Sequence, residues 1–145
     1  MPSVFHHELV VSRGDIDRLG HVNNLSYLAW LQDAAVAHSD VQGWPHEQYE
    51  RIGATWVVRS HQIRYLRPAF DGERLIVVTW IGAAGRASST RRYKIVRPED
   101  ETLLARAETH WAFVSLETGS PVRVPEEVAR SFIVTEEPEL FGGAK

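Results

Sequence analysis

Between Leu25 and Asp40, apolar residues recur at steps of three and four: Leu25, Leu28, Leu31, Ala34 and Ala35, with His38 completing the stripe. That spacing is one face of an amphipathic α-helix. Tyr27, Trp30 and Ala37 widen the stripe, so this helix is expected to be covered on much of its circumference. Gly43 is a natural stop, and Pro45 suits the first turn of a short second helix reaching about Arg51. Strand patterns surround this helical segment. Residues 4–13 read as a first strand ended by Gly14, and after Gly53 four β-prone runs follow, at 55–66, 74–81, 88–97 and 102–116. In the first of these, Thr55, Val57, Arg59, His61, Ile63 and Tyr65 are expected on one face, with Trp56, Val58 and Leu66 on the other. Turn sequences separate the runs: Pro68–Gly72 with its Asp-Gly hairpin signal, Gly82–Gly85, and Pro98–Asp100. Tight turns make antiparallel neighbours. One long helix and one antiparallel sheet predict an α+β domain in which the sheet wraps the helix. A short helix is expected over 125–131, and the tail from Phe141 reads as frayed.

A chain of 145 residues is expected to form one domain, with its core between about 4 and 133. The net charge of -3 argues against bulk nucleic-acid binding. No apolar run approaches the ~20 residues needed to span a bilayer. The first residues do not match a secretory signal, and there is no cysteine. Disulfides, thiolate metal sites and a cysteine nucleophile are thereby removed, and a cytoplasmic location is the expectation. His6 and His7 are adjacent on a strand and point to opposite faces, which is poor geometry for a metal. His46 lacks the second histidine of a zinc-protease motif. Neither a metal nor a cofactor is expected.

The stretch that gathers chemistry is Asp15-Ile16-Asp17-Arg18-Leu19-Gly20-His21-Val22-Asn23-Asn24-Leu25-Ser26-Tyr27. Asp, Gly and Asn tolerate tight and left-handed backbone, and Asn starts helices well. The stretch therefore reads as a turn running into the long helix. It brings a carboxylate, a histidine and the unpaired N–H groups of a helix start to one place.

Asp15-x-Asp17-x-x-Gly20-His21-Val22-Asn23-Asn24-x-x-Tyr27 resembles the signature of hotdog-fold thioesterases of the 4-hydroxybenzoyl-CoA thioesterase type. Trp56 to Ala69 and Asp71-Gly72-Glu73 are similar to that family too, so the resemblance spans roughly residues 4–133. It implies a five-stranded antiparallel sheet curled around the central helix. It also implies a homodimer joined sheet edge to sheet edge, or a homotetramer, acting on an acyl-CoA or acyl-carrier-protein thioester without membrane insertion. The family's catalytic carboxylate falls on Asp17, and its backbone oxyanion donor falls on Asn24. The His-Val-Asn-Asn form is closer to acyl-carrier-protein thioesterases and to medium- or long-chain acyl-CoA thioesterases than to the aromatic-CoA branch.

Those residue types suit the chemistry. Thioester hydrolysis needs an activated water or a nucleophile, together with donors aimed at the developing oxyanion. Asp17 supplies the first, as base or nucleophile, and a helix N-terminus the second. The sequence has no Gly-x-Ser-x-Gly elbow to support an α/β-hydrolase mechanism. Asp15 reads as a residue that orients the turn. His21 stands open between catalysis or substrate contact and packing, as does Tyr27 between substrate contact and packing. Asn23 reads as a helix starter or a substrate contact, and His61 as a strand histidine or a site residue. Arg91 and Arg92, with Lys94 and Arg86, form a basic cluster that could meet coenzyme A phosphates or simply be a solvated face. Two other readings remain: a non-catalytic acyl-CoA-binding domain, and, on weaker spacing, an enoyl-CoA hydratase.

Overall fold

The computed structural model describes residues 3–140, so the tail from Phe141 lies outside the described residues. The elements run β1 (Val4–Val10), a 3-10 turn (Arg13–Asp15), α1 (Asn24–Val41), α2 (His46–Ile52), β2 (Ala54–Tyr65), β3 (Arg74–Ala84), β4 (Ser88–Arg97), β5 (Thr102–Ser115) and α3 (Glu126–Ala129). The five strands form one antiparallel sheet in the order β1-β3-β4-β5-β2. It packs around α1 as the hotdog resemblance implies. Leu31 and Ala34 of α1 meet Leu75 and Val77 of β3, Ile95 of β4 and Leu104 of β5, all with no solvent exposure. Each such leucine contributes roughly 1.5–3 kcal/mol by leaving water. No described helix is long and apolar enough to cross a membrane.

The helix buries most of the stripe its spacing suggests, shifted at its start toward Tyr27 and Trp30. Tyr27, Trp30, Leu31, Ala34, Ala35 and His38 are buried, while Leu25 is 76% exposed. Leu25 is the second residue of α1, where the helix has barely entered the sheet.

Local turn chemistry misleads at two places. Asp71-Gly72 does turn the chain, but β2 and β3 do not pair: β2 lies at one edge beside β5, and β3 lies between β1 and β4. The linker instead crosses the open end of the sheet. Ala69 is fully buried there, its carbonyl accepts from the Val22 N–H (3.3 Å), and the Gly72 N–H donates to Val11 (2.9 Å). Gly82 is not a turn residue either. β3 continues to Ala84, with a register shift between Ile81 and Ala83, and a Cβ on Gly82 would collide with Nε of Arg92. At this bulge the glycine leaves room for the Arg92 side chain to lie across the strand.

A second bulge, between Val58 and Ser60, changes the faces of β2. Trp56 stands opposite Phe113 and Val58 opposite Trp111, while His61 stands opposite Thr109 and Ile63 opposite Ala107. Trp56, Val58, His61 and Ile63 therefore share the helix-facing side. A strict period of two had divided them, and one inserted residue near Arg59 reverses the parity. At the chain's start, β1 stops at Val10 rather than running to residue 13, because Arg13–Asp15 turn back over the helix.

The outer face of the sheet is covered by the segment after α3. Val134 bridges to Ile81, and Leu140 packs with Val78, Trp80 and Val96. Glu137 locks this strap. It accepts two hydrogen bonds from Arg106 (both 2.9 Å) and lies 2.8 Å from Lys94 Nζ, which also donates to the Pro138 carbonyl (2.9 Å). The Arg106 guanidinium, and then Lys94, hold the Glu137 carboxyl down at about 2 from an ordinary 4.5. A depressed carboxyl stabilises the fold above its unfolded value, and that contribution is lost as pH falls through the folded value. Thermal melts across pH 5 to 2 are therefore expected to show the wild type losing its advantage over Glu137→Gln. Parallel pH curves for the two proteins would contradict this.

Candidate functional site

Residues 16–22 form a miniature hairpin. Ile16 and Val22 are bridged, the Asp17 N–H donates to the His21 carbonyl (2.8 Å), and the Gly20 N–H returns to the Asp17 carbonyl (3.1 Å). Gly20 has φ +82°, the left-handed conformation that closes this turn. Asp17 is exposed. Its Oδ1 accepts from the backbone N–H groups of Leu19 (2.8 Å) and His21 (3.3 Å). Among the described residues its Oδ2 accepts nothing. One oxygen thus holds the loop, and the other is left unbonded on an exposed residue.

Asp15 pins this hairpin to the start of α1. Its carbonyl accepts from both the backbone N–H (2.8 Å) and the side-chain amide (3.0 Å) of Asn23. Its carboxylate accepts from the Ser26 hydroxyl (2.7 Å) on one oxygen, and from the Ser12 N–H (2.9 Å) and hydroxyl (3.1 Å) on the other. Burial of Asp15 works against its charge, but the bonds from Ser12 and Ser26 outweigh that, and its pKa falls below the usual value. Asn23 is the N-cap, its Oδ1 accepting from the Ser26 N–H (2.9 Å). The N–H groups of Asn24 and Leu25, the first two helical residues, have no intrahelical acceptor, and no other among the described residues. Both residues are exposed. A carboxylate oxygen and a pair of dipole-backed amide donors are thereby tied into one rigid, solvent-open unit.

The other candidates divide. His21 is exposed, with its ring edge-on to Phe70 at 5.7 Å. Tyr27 is 4% exposed and packs edge-on with Trp30 and Tyr65, so it sits in the core. Both polar ends of the Asn23 amide are spent on the cap and the loop. His61 bonds Thr109 at 2.8 Å, and burial lowers its pKa. The basic cluster does not exist as a cluster. Successive residues of β4 face opposite ways: Arg91 lies inside with Tyr93 and Ile95, and Arg92 and Lys94 lie outside. Arg92 is exposed near Glu108 (3.5 Å), and Lys94 is buried under the strap. No group of three His, Asp or Glu side chains able to hold a metal occurs among the described residues. A cavity of about 210 Å³ lies against the second half of α1, and none of residues 15–27 line it.

Residues 11–132 match the family model of the thioesterase-like superfamily. The chain belongs to this family. Bacillus subtilis YneP, whose name assigns it acyl-CoA thioesterase activity, is 26% identical to the thioesterase-family chain over 103 residues, covering 71% of this chain and 75% of its own. The chloroplast acyl-carrier-protein hydrolase FATB3 of Cuphea viscosissima is 23% identical over 124 residues, covering 81% of this chain but 30% of its own. Slr0204 of Synechocystis, a 1,4-dihydroxy-2-naphthoyl-CoA thioesterase, superposes with a TM-score of 0.81 at 24% identity, covering 88% of this chain and 94% of its own. An acyl-carrier-protein thioesterase of Bacteroides thetaiotaomicron gives 0.85 at 18% identity, with coverage of 99% and 58%. These superpositions show the hotdog fold.

Sequence reasoning missed two parts of this thioesterase-family chain. Ser26 closes the clamp on Asp15 from eleven residues away, and no short motif links the two. The buried grouping of Arg91 with His38 and Thr79 was also missed. The parity of Arg91 with Tyr93 and Ile95 carried that signal, but the neighbouring charges obscured it.

Proposed function

We propose that this chain hydrolyses an acyl thioester of coenzyme A or of an acyl-carrier protein, with Asp17 as base or nucleophile and the N–H groups at the start of α1 as oxyanion donors. The observation that carries the reading is the free Oδ2 of Asp17 on a loop fastened, through Asp15, to a helix end with unpartnered amides. With Asp17 as base, it takes a proton from water while the water oxygen bonds the thioester carbon. Charge moves onto the carbonyl oxygen, where the Asn24 N–H and the helix dipole receive it. Collapse breaks the C–S bond, and the leaving thiolate takes up the proton. The products are the free acid and the thiol. Exposed His21 contacts the substrate from the same loop.

Asp17 lines neither of the two best-formed cavities of the single chain, which fits a site whose remaining wall comes from a second copy. β2 has its outer edge unpaired along Ala54–Tyr65 among the described residues. Such a long edge invites pairing with a copy of itself. Tyr65, Leu66, Phe70 and Leu25 are large apolar side chains left exposed around that end of the sheet and helix. The assembly is thus a dimer through β2, alone or doubled into a tetramer.

Thiol release from a panel of esters, acetyl- to palmitoyl-CoA, benzoyl types and an acyl-carrier-protein ester, tests the activity. Sedimentation tests the assembly. At least one ester should be cleaved by a particle of two or four chains. No thiol from any of them, or hydration of crotonyl-CoA without thiol release, would overturn the reading.

A further inference from the structure

The cavity under the second half of α1 has an unusual wall. Trp44, Tyr49, Trp56, Trp111 and Phe132 stand around it, yet Arg91 also lines it and is only 5% exposed. A buried guanidinium gives up its hydration, a cost that a facing anion offsets. None does among the described residues. Arg91 Nη1 donates to His38 Nδ1 (2.9 Å) and Thr79 Oγ1 (3.1 Å), and both acceptors are uncharged in that arrangement. Its Nε and Nη2 have no acceptor among the described residues. Neither is among the polar atoms sealed away without a partner, so these donors open on the cavity. The titratable groups that face Arg91 are His38 of α1, Tyr49 of α2 and, on its own strand, Tyr93. Asp40 and His46 also line the cavity but are exposed, at its rim, and Asp40 makes no ion pair with Arg91. The indole N–H of Trp111 lies near the Tyr93 hydroxyl but makes no well-aligned hydrogen bond among the described residues.

We propose that this cavity is a binding site for a carboxylate carried on a compact apolar body. The carboxylate takes the Nε and Nη2 donors of Arg91 side-on, and the apolar body lies among the tryptophans. The Nε/Nη2 edge of a guanidinium is planar and matches the two oxygens of a carboxylate. The cavity volume of about 210 Å³ has room for an acid the size of hexanoate or benzoate. Ser89, 8% exposed, lines the same cavity, and its hydroxyl makes no hydrogen bond among the described residues, so it offers a further donor. The binding itself does not depend on the thioesterase reading. The carboxylate has two sources: a free acid, or the far end of an acyl group bearing a second carboxylate.

Calorimetric titration of the full chain with hexanoate and benzoate, against hexanamide and benzamide, tests the site. The acids should bind at least tenfold more tightly than the amides. Arg91→Gln should erase that difference. Val36→Trp, on the half-exposed face of α1 where Val36 lines the cavity, should block all four ligands without touching Arg91. Equal binding of acid and amide, no binding of either, or acid binding that survives Val36→Trp would overturn the proposal, even if Arg91→Gln fails to fold. A second arm, which does rest on the thioesterase reading, separates the sources. Faster thiol release from adipoyl-CoA than from hexanoyl-CoA, lost in Arg91→Gln, assigns the carboxylate to the substrate. Equal release with hexanoate still bound assigns it to a free acid. Failure of all turnover would count against the hydrolase reading and leave the titration to decide this one.

Discussion

Asp17→Asn is expected to lower turnover by ~100-fold or more, the scale of a lost base or nucleophile, while the protein melts at its ordinary temperature. The structure makes this substitution unusually clean. Oδ1 of Asp17 holds the 16–22 hairpin by accepting from Leu19 and His21, and an asparagine keeps a carbonyl oxygen in that place. What it loses is the negative charge, and the free Oδ2 becomes an amide that can neither take a proton from water nor attack a carbonyl. Asp17→Ala would remove both functions and confuse them. Thiol-release kinetics on the best ester, beside a thermal melt, are the measurement. Turnover at the parent rate would remove Asp17 from the chemistry, whatever its place in the loop.

The second large effect concerns a backbone atom, which ordinary substitution does not reach. Asn24 is the first residue of α1, and its N–H makes no bond among the described residues. Proline is favoured at that position because the missing N–H is not needed by the helix and φ is already near the helical value. Asn23 before it has φ -75° and ψ 157°, the extended conformation that a residue preceding proline requires. Asn24→Pro should therefore leave the helix in place and delete one oxyanion donor. Loss of one such donor costs about 10²–10³ in kcat. Asn24→Ala, which keeps the N–H and removes only a side chain that makes no hydrogen bond among the described residues, should stay near the parent rate. If Asn24→Pro turns over normally while folded, the oxyanion is held elsewhere. If Asn24→Ala falls as far as Asn24→Pro, the side chain rather than the amide does the work.

Much of the site is legible because it is local. A helix start, a glycine turn and an acid two residues after another acid are all fixed within residues 15–27, where chain geometry alone decides who is near whom. The clamp that makes the site rigid is less so. Ser12 and Ser26 both reach Asp15, and only the folding of β1 and α1 around the same turn brings them together.

The amino-acid sequence by itself determines the order and approximate limits of the elements, the start of α1 at the asparagine pair and the surface loop that carries Asp17. These follow from side-chain periodicity and from the backbone preferences of Gly, Pro and Asn, each acting over a few residues. The tertiary structure alone decides three things. It places β2 at the far edge of the sheet from β3 despite the Asp-Gly turn between them, because strand pairing is chosen by what covers the helix and not by the tightness of a connection. It inserts the bulge that turns His61 inward with Trp56. And it buries Arg91 beside His38 while Arg92 faces solvent, since a pleated strand separates neighbouring charges to opposite faces and only the packed helix defines which face is inside.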